Sequence, residues 1–220
     1  WREPVQAIGV KAAAKAIRDA GLIVTGYCRG GLFSNQGREG FKAALDDNRR
    51  AVDEAAALGA RCLVMVSGGL MPGSRDLPAA RAMMTEGIAE LLPHARAAGV
   101  PLAIEPLHPM TAADRCTMST LAQANDLCEA MNRDGRGGIG VAIDVYHVWW
   151  DPDLAAQIAR AGRNSSILAF HVCDWLVPTK DLVFDRGMMG DGVIDIRAIR
   201  GMVEAAGFDG LCEVETFARD

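Results

Sequence analysis

Four apolar runs in this chain each end on a side chain able to bind a metal: Pro-Leu-Ala-Ile-Glu105, Gly-Val-Ala-Ile-Asp144, Leu-Ala-Phe-His171 and Cys-Glu-Val-Glu215. Together they offer carboxylate oxygens and an imidazole nitrogen, a mixed donor set suited to Mn, Mg, Co or Zn. Parallel strands covered on both faces read as unbroken hydrophobic runs, so a charged residue closing such a run belongs to a solvated, functional rim. A single strand-end carboxylate is more often a cap for the next helix. Four in register point instead to a metalloenzyme barrel.

The elements that must position these residues follow a repeat in which a helix ends in Gly and passes directly into an apolar strand. It occurs at Gly21, Gly59, Gly99 and Gly207, with Gly138 continuing the series. Gly just past a helix accepts the left-handed conformation that turns the chain back sharply. Strands are expected near 22–28, 60–66, 101–105, 139–144, 167–172 and 210–215. Between them lie apolar faces of 3.6-residue period: Val5, Ile8, Ala12, Ala16; Phe41, Leu45, Asn48, Val52, Ala55; Met84, Ile88, Leu91, Ala95; and Leu121, Ala124, Cys128, Met131. Asp151-Pro152 is expected to open a short helix, and another spans about Ile196 to Ala206.

Strict alternation of strand and helix requires right-handed crossovers and a parallel sheet, either open and doubly wound or closed as a (βα)8 TIM barrel. An open sheet gathers ligands at one switch point, whereas ligands on four strand ends converge only at a barrel mouth. The expectation is therefore an incomplete barrel forming a single domain over residues 1–220, with about six strands present and two strands and a final helix missing. Trp1-Arg2-Glu3-Pro4 reads as interior to a longer protein.

Of the 220 residues half are hydrophobic, and the net charge is −5 without a cluster of Lys and Arg. That balance argues against a nucleic-acid or anionic-membrane partner. No run reaches the roughly 18 to 20 apolar residues of a membrane helix. The six cysteines show no CxxC spacing and read as reduced and structural, which fits a cytoplasmic location.

The chain resembles the sugar phosphate isomerase/epimerase family, which has the xylose-isomerase-like barrel, and the resemblance implies that the first two strands, the first helix and the last helix are the missing ones. The resemblance runs from Trp1-Arg2-Glu3-Pro4 through Cys28-Arg29-Gly30-Gly31, Glu105-Pro-Leu-His108-Pro, Asp144-Val-Tyr-His147, His171-Val-Cys-Asp174-Trp175 and Gly190-Asp191-Gly192 to Glu213-Val-Glu215. It implies that Glu105, Asp144, His171 and Glu215 hold one divalent cation, with Mn or Mg favoured. It also implies that Glu105 and Glu215 exchange a proton with the carbon next to a carbonyl, through an ene-diolate. His147 and Arg186 are then expected to contact substrate, and His108 to reach the pocket. Asp174 is expected to orient the His171 imidazole, and Gly190-Asp191-Gly192 to let a loop fold over the mouth.

Several positions carry plainer readings. His94 reads as a surface residue and Met188-Met189 as loop packing, while Trp149-Trp150 fits core packing and a sugar-stacking wall equally well. Glu213 and Glu215 share one side of their strand, so either could be the ligand; Glu215, nearer the carboxyl end, is preferred, with Glu213 a layer below. Rival functions are a metal-dependent dehydratase or lyase of the same barrel family, a three-zinc endonuclease, and a non-catalytic sugar-binding barrel. The endonuclease is disfavoured because Cys28-Arg29 and Ser67-Gly68 offer no His. The expected partner is a small sugar or polyol, and barrels of this kind often pair as homodimers.

Overall fold

The computed structural model describes residues 1–217. Two helices, α1 (Arg2–Ile8) and α2 (Val10–Asp19), precede β1 (Tyr27–Gly31). The chain then alternates: α3 (Gly37–Leu58), β2 (Leu63–Val66), α4 (Leu77–Ala98), β3 (Leu102–Ile104), α5 (Leu121–Met131) and β4 (Ile139–Asp144). After β4 come a single turn of helix, α6 (Val145–Val148), then α7 (Leu154–Arg163) and β5 (Ile167–Val172). A small hairpin of β6 (Asp174–Trp175) and β7 (Arg186–Gly187) precedes α8 (Ile196–Ala205) and β8 (Cys212–Val214).

Six strands form one parallel sheet in the order β1-β2-β3-β4-β5-β8. This is the expected α/β half-barrel. Side chains alternate across it, so Leu102 and Ile104 pack against the helices while Ala103 faces the concave side with Cys62, Val64, Ala142 and Ala169. This concave layer is built mostly of small residues. The same alternation carries the next inward positions past Ala103, Ala142 and Ala169 to Glu105, Asp144 and His171.

The faces read for α3, α4 and α5 are buried, apart from the half-buried Met131. In α3, Asn48 accepts the Gly31 N–H (2.6 Å) and donates to the Gly31 carbonyl (2.8 Å), tying the helix to the rim end of β1. The α5 start is fixed by a capping box of Thr120 and Gln123. Gly59 and Gly99 both adopt the left-handed conformation (φ 69°) that ends α3 and α4.

Some expectations change. The first helix is split at Gly9 (φ 85°), which rotates the second half, so Ala13 and Ala14 are buried instead of Ala12 and Ala16, and Ile8 is exposed. The first strand starts at Tyr27, not Leu22, because its pairing with β2 begins at Leu63; Leu22 and Ile23 are exposed. Asp151 turns the chain through the Asp153 N–H (2.9 Å), and α7 starts at Leu154. Met188 and Met189 are exposed rather than packed. All six cysteines are free, and no helix among the described residues is long and apolar enough to cross a membrane.

Candidate metal centre

Single ligand atoms from Glu105, Asp144, His171 and Glu215 all lie within 4.8 Å of one another. Asp144 ends β4, His171 lies near the end of β5, and Glu105 and Glu215 follow β3 and β8 by one residue. His171 Nδ1 is 2.9 Å from Glu105 Oε1 and 3.4 Å from Glu215 Oε2. Donors around one cation at roughly 2.1 Å stand at most about 4.2 Å apart, so small side-chain adjustments close this set on a single ion. Hard carboxylate oxygens with one imidazole fit a divalent cation.

The charges of the four side chains are set by burial and by each other. Burial raises the Glu105 carboxyl to about 7, opposed by the hydrogen bond and charge of His171. Burial also works against protonated His171, yet Glu105 and Glu215 outweigh it and hold the proton well above the ordinary imidazole range. Asp144 is completely buried, which favours its neutral form, but Arg186, then His147 and His171, keep its carboxyl below the usual value. Metal binding requires His171 to give up its proton.

Arg186 belongs to this cluster, although it lies in the hairpin. Its Nη1 is 3.0 Å from Asp144 Oδ2 and 3.5 Å from Glu215 Oε2, and its guanidinium stacks over the Tyr146 ring at 4.4 Å. The Arg186 Nε is buried without a hydrogen-bond partner among the described residues. His147 reaches the same place from α6: its Nε2 is 3.5 Å from Asp144 Oδ2 and 3.1 Å from Arg186 Nη2. Its Nδ1 accepts the His108 backbone N–H (3.1 Å), which leaves the ring proton of the neutral imidazole on Nε2. Burial pulls its pKa down to about 3, so the ring is neutral.

Two residues take other roles than expected. The His108 side chain points away from the cleft: its Nδ1 accepts the Met110 N–H, and its ring packs 4.6 Å from Trp175. Its backbone N–H donates to His147 Nδ1. Asp174 does not orient His171; its carboxylate accepts backbone N–H groups from Trp175, Gly190 and Ile194, because the chain folds back over it after β7. A Cβ at Gly192 would lie 2.3 Å from the Trp175 carbonyl, so that glycine permits close packing. The acid on the far side of the imidazole is Glu213, whose Oε2 is 4.0 Å from His171 Nε2. Glu213 is the register partner of His171, which places it a layer below Glu215.

Trp149 packs against Trp175 (5.8 Å), and Trp150 donates from Nε1 to the His147 carbonyl; neither lines the cleft over the cluster. His94 is an exposed partner of Asp53 (2.8 Å). Sequence reasoning did not single out Arg29 and Arg115, which line the cleft together with Glu105, His147, Arg186 and Glu215. Arg29 carried a usable signal, a charge near the end of a strand. Arg115 sits in the irregular segment after β3 and carried none.

The fold and site define a class, and the xylose isomerase-like TIM barrel family model matches residues 1–220. The chain belongs to that family. It is similar to the protein SMc04130 from Sinorhizobium meliloti 1021, with 64% identity and a TM-score of 0.95 over 100% of this chain and 78% of that one. A curated relative, the inosose isomerase of Bacillus velezensis, is 25% identical over 194 residues, covering 84% of this chain and 64% of the relative. The chain therefore spans less than two thirds of that relative's length. The IOLI protein, solved with a bound zinc atom, shares the fold, with a TM-score of 0.74 at 20% identity over 99% of this chain and 76% of that one.

Proposed function

We propose that the protein is a divalent-metal-dependent isomerase or epimerase of a small sugar or polyol ketone. The convergence of Glu105, Asp144, His171 and Glu215 within 4.8 Å carries this reading. The inosose isomerase relative and the zinc-bearing IOLI protein support the reaction class and the metal. The same four residues would hold the cation, which when bound supplies Lewis-acid polarisation of neighbouring oxygens.

The remaining chemistry belongs to the chain. One of Glu105 and Glu215 takes the proton from the carbon beside the substrate carbonyl, leaving an ene-diolate, and the other returns a proton from the opposite side. Neutral His147, with its proton on Nε2, donates to a substrate oxygen. Arg186 lines the same cleft and adds its guanidinium charge beside Glu215. Buried charge pairs between Arg186 and Asp144 fix both groups before substrate arrives.

The test pairs metal analysis with isotope exchange. The protein is dialysed against metal-free buffer, reloaded, and analysed for bound Mn, Mg, Co or Zn. It is then incubated with inosose and with ketohexoses in D2O, and deuterium at the carbon beside the carbonyl is followed by NMR. About one metal per chain and metal-dependent deuterium uptake are expected. Absence of retained or titratable metal, or no exchange with any ketone of the panel, would overturn the reading.

A further inference from the structure

Among the described residues, the arginines fall into two groups with two exceptions. Most are solvent-exposed, and those that are partly or largely buried, such as Arg2, Arg96, Arg160 and Arg186, face carboxylates within 3.0 Å. Arg29 and Arg115 are half-buried, and neither makes an ion pair or a side-chain hydrogen bond among the described residues. Both line the cleft that contains Glu105 and Glu215.

Such a placement is costly without a partner, because burial removes water from a guanidinium while neighbouring cations repel it. Arg115 shows this cost: burial, then the charges of Arg29 and Arg186, lower its pKa, with Glu215 as the opposing charge. Glu215 cannot serve as its private partner, since it already faces His171 and Arg186. A divalent cation together with Arg186 would balance the three carboxylates of the metal cluster. Glu213, a layer below, adds a fourth carboxylate, and Arg29 and Arg115 together still leave the cleft with an excess of positive charge.

We infer that the cleft takes an anionic substrate, a ketone or polyol carrying a carboxylate or a phosphate, whose anionic group is held by Arg29 and Arg115. This deepens the proposed function and rests on it. Guanidinium groups present forked donors matched to both kinds of anion. The acid-base pair and the anion site share one cleft, so the anionic group anchors the substrate while its carbonyl end meets Glu105 and Glu215.

The experiment is calorimetric titration of the manganese-loaded protein with fructose, fructose 6-phosphate and gluconate, without reliance on turnover. Wild type is compared with Arg29→Gln, Arg115→Gln and the exposed control Arg136→Gln. At least one anion is expected to bind about tenfold more tightly than fructose, with that preference lost in both cleft variants and kept in the control. Preference for fructose 6-phosphate assigns a phosphate ester; preference for gluconate assigns a sugar acid. Equal binding of fructose and both anions by wild type would overturn the inference, whether or not the variants fold. So would an anion preference that survives in folded Arg29→Gln and Arg115→Gln. A protein that retains metal and exchanges protons on neutral ketones, yet shows no anion preference, loses this inference alone. Failure to bind metal overturns the proposed function as well.

Discussion

Arg186 Nη1 lies 3.0 Å from Asp144 Oδ2, joining a two-residue strand of the hairpin to the end of β4 through a fully buried carboxylate. The pair brings a loop element into the metal cluster. Its removal should leave Asp144 charged and unpaired in the core, so Arg186→Gln is expected to lower stability by about 3 kcal/mol. Urea denaturation should show this loss. Saturating manganese should recover more stability in the variant than it adds to wild type, because the cation replaces the missing positive charge. Equal gains in both proteins would mean that Asp144 does not hold the ion.

Glu213 and Glu215 flank the same imidazole from different layers. Glu215→Gln is expected to reduce deuterium exchange by about a hundredfold or more, because it removes a proton-transferring carboxylate. Glu213→Gln should weaken metal binding by only about tenfold, the scale typical of a group that steadies a ligand from behind. Metal titration and exchange rates on both variants decide the matter. A larger loss at Glu213 would exchange the two assignments.

Asp174 holds the segment after β7 through the backbone N–H groups of Gly190 and Ile194, and also accepts the N–H of its neighbour Trp175. Burial raises its carboxyl, but those amides keep its pKa below the ordinary value. Asp174→Ala should cost about 2 kcal/mol and free the chain around residues 188–192. Limited proteolysis is the direct check: cleavage should accelerate in that segment and not within α3.

Arg2 ties α1 to α3 by contacts of 2.8 Å to Asp47 and 2.9 Å to Glu54. The bond to Arg2 lowers the Asp47 pKa; for Glu54, burial pushes upward but Arg2, Gln6 and Tyr27 together bring it below the usual value. A depressed carboxylate pKa stabilises the fold above the unfolded-state value, near 4, and that contribution disappears as pH falls through the folded-state value. Arg2→Gln should therefore be less stable than wild type at pH 7, and the gap should narrow as pH falls below about 4. Urea midpoints across this range measure it. A gap that is constant with pH would assign Arg2 a packing role only.

The parts of this molecule legible in the sequence are those governed by strict period. Glu105, Asp144 and His171 stood out because each closes an apolar strand, and the α3 and α4 faces because Phe41 to Ala55 and Met84 to Ala95 repeat at helical spacing. Other features depended on pairing. Leu22 and Ile23 are as apolar as any strand residue, but the ladder with Leu63 begins only at Tyr27. The work of Asp174 was hidden because its partners are backbone amides, which have no residue signature. Arg115 was hidden because an irregular segment brings it to the cleft, and Glu213 because only register with His171 distinguishes it from Glu215.

From β1 to β5, each strand of the sheet lies beside the next strand in the chain, one helical excursion away. Assembly can therefore proceed by short steps between adjoining units, with little long-range loop closure before each contact is rewarded. The exception is β8, which reaches β5 only after the hairpin and α8 have been laid down. Glu215 comes with β8, so the fourth member of the metal cluster is the one whose placement depends on the longest excursion between neighbouring strands of the sheet.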